Sequence, residues 1–92
     1  PIRMGQVFSG YAAQAQMSIS RGKNALDTLS SNLPIGGTAV GTGINTHVEF
    51  GRRVCAELSR ATGLTFREAD NHFEAQAAKD SFVEAHGQLK TI

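Results

Sequence analysis

A glycine-rich stretch in the first half of the chain is the segment whose composition could do chemistry. It contains four of the ten glycines within eight positions, and it reads Gly36-Gly37-Thr38-Ala39-Val40-Gly41-Thr42-Gly43-Ile44-Asn45. Successive backbone N–H groups in such a loop can bind an anion. A P-loop requires Lys and then Ser or Thr after its last glycine, and a dinucleotide-binding loop requires Gly or Ala where this chain has Thr46. Both nucleotide-binding interpretations are therefore disfavoured.

Histidine and cysteine are the other residue types with reactive side chains. A zinc site needs several such ligands that converge, and the spacings of His47, His72 and His86 match no zinc pattern. We expect no metal and place these histidines at solvent-facing or helix-capping positions, with a ligand or general base as the alternative. Cys55 has no partner for an internal disulfide and no flanking motif that activates it, so we expect a small buried residue.

Charged residues recur at intervals of three and four after the glycine-rich stretch. They are Glu49, Arg52, Arg53, Glu57 and Arg60. This spacing is typical of a solvated helix face with weak ion pairs. General acid–base catalysis requires a proton donor and acceptor that converge in a concave site, and no such set is complete in these 92 residues.

Three amphipathic helices should position these groups, and the first is predicted over residues 5–33. Its apolar or small residues recur at steps of three and four: Phe8, Tyr11, Ala15, Ile19, Gly22, Leu26, Leu29 and Leu33. Pro34 should end it, because a proline disfavours helix at the residue before it. The run from Met4 to Ser20 carries no charge and holds small residues beside the apolar stripe. We therefore expect this helix to lie inside a bundle.

The second helix is predicted over residues 46–62. Thr46 and Glu49 have the spacing of a capping box, in which each side chain bonds to the other residue's backbone N–H. Gly63 should end the helix. The apolar face is formed by Phe50, Val54, Leu58 and Ala61.

The third helix is predicted over residues 71–92, with Asn71 as its N-terminal cap and apolar residues again at steps of three and four. No alternating pattern long enough for a strand is present. The sequence thus predicts an all-α fold in which long helices are joined by a glycine-rich turn at 36–45. We interpret residues 1–92 as one partial helical-bundle domain.

Composition narrows the possible partners. Nine Lys and Arg residues against eight Asp and Glu give a net charge of +1, so no basic field attracts nucleic acid. Little charge repulsion opposes self-association. The uncharged run over 4–20 is short for a membrane span and is interrupted by Gln and Ser. No signal-peptide pattern is present, so we expect a cytoplasmic protein with no membrane or nucleic-acid partner.

Three segments, in this order, resemble class II fumarate hydratase of the fumarase/aspartase superfamily. They are Gly5-Gln6-x-Phe8-Ser9-Gly10-Tyr11, the stretch from Gly36 to Thr46, and Asn71-x-Phe73-Glu74-Ala75. The resemblance covers all 92 residues and corresponds to the early central region of that enzyme. Aspartases share the Thr-Ala-Val-Gly-Thr-Gly run but usually have Gly-Ala in place of Gly36-Gly37. An aspartase-like ammonia lyase is therefore the alternative.

The resemblance implies a lyase of the tricarboxylic acid cycle that reversibly adds water to fumarate to give L-malate, without metal or organic cofactor. It implies a homotetramer whose long central helices form one bundle, in the cytoplasm or, for a eukaryotic enzyme, in the mitochondrion. It places the catalytic serine loop after Ile92 and the catalytic histidine before Pro1. We therefore expect a fragment of a longer enzyme that is inactive alone. A non-catalytic self-association module is the remaining alternative.

Within the chain, the resemblance leaves only the glycine-rich turn as a possible wall of the active site. It implies that Thr38, Thr42 and Asn45 are the candidate substrate-binding residues, and no catalytic or metal-binding residue is assigned. The plainer interpretation is a tight turn that joins two bundle helices.

Overall fold

The computed structural model describes residues 1–92 as four helices and their connections. The helices are α1 (Met4–Ser30), α2 (Phe50–Thr62), α3 (His72–Ala77) and α4 (Asp80–Lys90). No strand forms, and the only β-type pairing is an isolated parallel bridge between Leu33 and Glu68. The predicted all-α fold is confirmed.

Helix α1 ends three residues earlier than the predicted limit at residue 33. The chain after it becomes extended and pairs with a later segment: the N–H of Arg67 donates to the Ser30 carbonyl at 2.9 Å, and the N–H of Leu33 donates to the Arg67 carbonyl at 3.0 Å. The N–H of Ala69 then donates to the Leu33 carbonyl at 2.8 Å. Pro34 explains why the helix stops, and this pairing explains where the freed backbone groups bond.

Helix α2 begins at Phe50, four residues after the predicted start, and the predicted capping box is wrong. The N–H of Glu49 donates to Nδ1 of His47 at 3.1 Å, and no side chain caps the helix. The Glu49 carboxylate instead accepts from Arg53, with Nε to Oε2 at 3.0 Å. A bond between charged groups is stronger than one to a neutral backbone N–H, so the carboxylate turns toward the helix rather than back to Thr46.

The predicted end of α2 and the predicted start of α3 are both present. Gly63 follows α2 with φ 74°, the left-handed conformation that glycine adopts without strain, and its N–H donates to the Ser59 carbonyl at 3.0 Å. Asn71 caps α3, since its Oδ1 accepts the Glu74 N–H at 3.0 Å. These ends depend on residues close in sequence, which explains why the sequence predicts them.

The single third helix predicted over 71–92 is wrong, because the chain leaves the helix at Ala78 and starts again at Asp80. Ala78 has an extended backbone with ψ 146°. Helix α3 is bonded to the glycine-rich turn, where Gln76 Nε2 donates to the Thr38 carbonyl at 2.9 Å. Helix α4 packs instead on α1. The break lets the two segments reach different partners.

Helices α1 and α4 pack antiparallel, with the end of α4 beside the middle of α1. A Cβ placed on Gly22 would lie 4.0 Å from Cδ1 of Ile92. Ala25 and Ala85, one from each helix, are both buried, which fits a close approach. The first half of α1 extends beyond this contact, and the molecule measures 68 × 27 × 13 Å.

The core is small. Its buried apolar residues are Ala25, Cys55, Ala69 and Ala85, and no large side chain is fully buried. The radius of gyration is 18.6 Å, whereas a compact domain of this length would have about 12 Å. No helix has the combination of length and apolarity that crossing a lipid bilayer requires.

Candidate functional site

The glycine-rich turn folds around one carbonyl oxygen, that of Gly37. It accepts the N–H groups of Gly41 and Gly43, both at 3.0 Å. Gly36, Gly41 and Gly43 have φ of 93°, 97° and 73°, a region that favours glycine. A Cβ on Gly41 would also lie 2.8 Å from the ring of Phe73. Both backbone conformation and space therefore require these glycines.

A cavity of about 190 Å³ lies between this turn, the start of α2 and the start of α3. Its polar lining comes from Thr42, Thr46, His47, Glu68 and His72. Glu68 is the only carboxylate among the lining residues. These side chains form no group of three that could hold a metal ion.

Glu68 and His72 form a pair in the lining of the cavity. Nε2 of His72 lies 2.9 Å from Oε1 of Glu68 and 3.1 Å from the carbonyl oxygen of Ile35. Their side chains expose only 25% and 22% of their surface. The position expected for His72, solvent-facing or capping, is wrong, because its ring bonds to two oxygens inside the fold. Sequence reasoning also missed Glu68, although its spacing of four from His72 is a weak signal.

The two other histidines lie where the sequence suggests. His47 is exposed and its Nδ1 accepts the Glu49 N–H, next to the start of α2. His86 is exposed on α4. Neither bonds to the Glu68–His72 pair.

The Glu68 carboxylate occupies space that two glycines leave open. A Cβ on Gly51, in the first turn of α2, would lie 2.5 Å from Oε1 of Glu68, and a Cβ on Gly36 would lie 2.9 Å from the same atom. The carboxylate thus approaches the N-terminal end of α2, where the helix dipole favours a negative charge. The approach of Glu68 requires glycine at both positions.

The three candidate substrate-binding residues share the turn but do not converge on the cavity. Thr42 lines it, whereas Thr38 and Asn45 are exposed outside it. Thr38 and Asn45 have φ of 55° and 65°. Such conformations are uncommon for residues other than glycine, and they occur often at binding and active sites.

The solvated charged face predicted on α2 is present. Glu49 bonds to Arg52 and Arg53, and Glu57 bonds to Arg60. The Arg60 guanidinium lowers the pKa of Glu57, and the carboxylate in turn raises the pKa of Arg60. Glu57 and the three arginines are exposed and Glu49 is half-buried, and none of these side chains lines the cavity.

Cys55 is buried near Glu68, with 3% of its surface exposed. Burial raises the pKa of its thiol, and the negative charge of Glu68 raises it further. The thiolate is the reactive form, so both effects lower its reactivity. The buried, unreactive cysteine expected from the sequence agrees with this environment.

Alkylation of Cys55 by iodoacetamide should be slow in the folded chain. Because its pKa is raised, a smaller fraction of the thiol is ionised at pH 8, and the rise of the rate with pH should be displaced to higher pH than in the unfolded chain. Burial should slow the reaction further, to at least about tenfold below the unfolded rate. Mass spectrometry across pH 7 to 10, with and without guanidinium, measures both. Equal rates in the two states would contradict the buried placement.

Comparison with known proteins supports one family. The whole chain, residues 1–92, matches the model of a lyase family. It is 52% identical over 92 residues to the class II fumarate hydratase of Nitrosomonas europaea, 54% identical over 93 residues to that of Mycobacterium tuberculosis, and 49% identical over 92 residues to the mitochondrial fumarate hydratase of Rhizopus oryzae. All of this chain is covered in each case, but only 20%, 19% and 18% of the relative.

The fold of the chain is also similar to that of a class II fumarase. A crystal structure of recombinant class II fumarase from Schistosoma mansoni superposes with a TM-score of 0.87 and 32% sequence identity, covering 99% of this chain and 22% of that one. The chain thus spans about a fifth of the length of the curated relatives it matches. Because the family match covers every residue, the chain belongs to the lyase family, and the relatives that it resembles in sequence and in fold are named class II fumarate hydratase or class II fumarase.

Proposed function

We propose that residues 1–92 form part of the active-site region of an enzyme that reversibly hydrates fumarate to L-malate. The observation that carries the proposal is about 50% identity to proteins named class II fumarate hydratase over the full length of the chain. The glycine-rich turn supports it, because it holds Thr38 and Asn45 in backbone conformations that are otherwise uncommon.

In this proposal the glycine-rich turn is the wall of the substrate site. Thr38, Thr42 and Asn45 supply hydroxyl, amide and backbone N–H groups, which can donate to a dicarboxylate. Hydration passes through an intermediate with extra negative charge, and donors fixed in advance stabilise such charge best. In this proposal the acid and base of the reaction come from outside these residues.

We also propose that α1 packs against other copies of the chain, in a homotetramer. Phe8 and Tyr11 are 62% and 60% exposed, and Ile19 is 51% exposed. The accessible surface is 6943 Å², whereas a compact monomer of this mass would expose about 5,200 Å². The difference of about 1,700 Å² per chain is large enough for a stable protein–protein interface. A cytoplasmic location belongs to the same proposal, with the mitochondrion as the alternative because one relative is a mitochondrial protein.

A grafted enzyme tests the catalytic proposal. Residues 1–92 replace the matching segment of the Nitrosomonas europaea fumarate hydratase, to which they are 52% identical. We expect the graft to convert L-malate to fumarate, followed by ultraviolet absorbance. A folded graft without this activity, or one that adds ammonia instead of water, would contradict the proposal.

A matched pair of threonine variants tests the turn itself. In the graft, Thr42→Val removes one hydroxyl while keeping the side chain's shape, and we expect kcat/KM to fall about tenfold, the effect of one lost hydrogen bond to a charged group. Thr65→Val makes the same change at an exposed loop position away from the turn and should leave kcat/KM unchanged. Equal effects of the two variants would remove Thr42 from the site.

A further inference from the structure

We propose that Glu68 and His72 are a positioning pair that holds the glycine-rich turn in its working geometry. The pair connects three segments that meet at the cavity: the chain before the turn, the start of α2 and the start of α3. The effect of this pair on catalysis rests on the proposed function, whereas its effect on the order of the turn does not.

The His72 ring bonds to the chain just before the turn. Its Nε2 lies 3.1 Å from the Ile35 carbonyl and 2.9 Å from Glu68 Oε1. A carbonyl oxygen can only accept, so Nε2 must carry the proton and donate it. The ring thereby connects the backbone at Ile35 to the Glu68 carboxylate, and loss of either side chain removes this connection.

Helix α3 holds the turn at a second point. Gln76 lies one helical turn after His72, and its Nε2 donates to the Thr38 carbonyl at 2.9 Å. The two α3 side chains therefore bond to carbonyls on either side of Gly37. A Cβ on Gly37 would lie 2.7 Å from Gln76 Nε2 and 3.1 Å from Cβ of His72, so the turn rests directly on the helix. His72 and Gln76 together fix the backbone next to Thr38, whose φ is 55°.

Glu68 is itself fixed before it meets His72. On either side of it, Arg67 accepts from the Leu33 N–H at 3.0 Å and the Ala69 N–H donates to the Leu33 carbonyl at 2.8 Å. Its carboxylate fits against α2 because position 51 is a glycine. A side chain held in this way loses little conformational entropy when it forms a hydrogen bond. Glu68 can therefore fix the position of the His72 ring.

Hydrogen exchange of the turn tests the pair. The N–H groups of Gly41 and Gly43 bond to the Gly37 carbonyl, and their exchange reports whether the turn stays closed. We expect Glu68→Ala to speed this exchange at least about tenfold while exchange at Ala25, buried between α1 and α4, is unchanged. Glu57→Ala is the matched control. It also removes a carboxylate that is bonded to a basic side chain, here Arg60, but on the solvated face of α2.

Two further variants separate a specific bond from general damage. Glu68→Gln keeps an oxygen that accepts from Nε2, so it should restore most of the protection that Glu68→Ala loses. His72→Ala removes the same bond from the other side and should match Glu68→Ala, and the double variant should exchange no faster than either single one. If Glu68→Ala unfolds the whole chain, the N–H of Ala25 also exchanges faster. In that case the exchange of the turn in His72→Ala and Glu68→Gln decides whether the pair holds it.

The measurements are made on the 92-residue chain and on the grafted enzyme. In the graft, Glu68→Ala should lower kcat at least about tenfold with a smaller change in KM, because the turn would no longer hold its donors for the transition state. Glu68→Gln should restore kcat. An unmodified graft that is inactive contradicts the proposed function, whereas the exchange result still decides the pair.

Three outcomes would overturn the inference. The first is unchanged exchange of the turn in both Glu68→Ala and His72→Ala. The second is a Glu68→Gln variant as poorly protected as Glu68→Ala. The third is an active graft in which Glu68→Ala opens the turn and leaves kcat unchanged.

Discussion

Replacement of Gly51 by alanine should destabilise the folded chain. A Cβ at this position would lie 2.5 Å from Oε1 of Glu68 and 2.6 Å from the Ile35 carbonyl oxygen. Alanine normally favours a helix by about 0.5–1 kcal/mol over glycine. Overpacking against fixed groups costs about 1–3 kcal/mol, and the Ile35 carbonyl belongs to backbone that cannot easily move. The net effect should be a loss of stability and a displaced Glu68.

Urea unfolding followed by circular dichroism at 222 nm measures this change. Gly87→Ala is the matched control, since Gly87 lies within α4 and a Cβ there would meet nothing within 4 Å. That variant should be more stable than the parent by about 0.5–1 kcal/mol. If both glycine variants gain stability alike, the close approach of Glu68 to α2 is wrong.

A negative charge on the exposed face of α1 should prevent self-association. Phe8 is 62% exposed in the single chain, and its ring packs edge-on against Tyr11, with centroids 6.1 Å apart. Burial of such a side chain in an interface contributes about 1.5–3 kcal/mol. Phe8→Glu removes this contribution and places a charge in the contact. We expect association at least about tenfold weaker for each copy that carries the change.

Light scattering and sedimentation across micromolar concentrations measure the assembly. Gln16→Glu adds the same charge to the same helix with almost no change in shape, about a quarter-turn away from the apolar stripe, and should leave assembly intact. A parent chain that remains a compact monomer over this range would refute the proposed assembly, whatever the variants do.

Local signals in the sequence predict much of this fold. Pro34 marks the end of α1, Gly63 ends α2, and Asn71 starts α3, because each acts on backbone groups within a few residues. The break at Ala78 has no such signal. It follows from α3 and α4 packing on different parts of the molecule, and the apolar spacing continues across it as if the helix were unbroken.

The site is predicted less completely than the fold. The glycine-rich turn is evident from composition, and the resemblance carried by its residues identifies the family. Glu68 is not evident, because its importance depends on Gly36, Gly51 and the Ile35 carbonyl, which are 17 to 33 residues away in sequence. The Thr46-x-x-Glu49 spacing is misleading for a related reason. Two arginines that follow compete for the carboxylate.

The parallel bridge between Leu33 and Glu68 affects the order in which parts of the chain can fold during synthesis. A ribosome synthesises the turn before it synthesises Glu68, His72 and Gln76, all of which hold that turn in place. Closing the loop of more than thirty residues between Leu33 and Glu68 also costs entropy, which the contacts of these later residues help to offset. The glycine-rich turn should therefore become ordered late, and a nascent chain halted before residue 68 should leave it unformed.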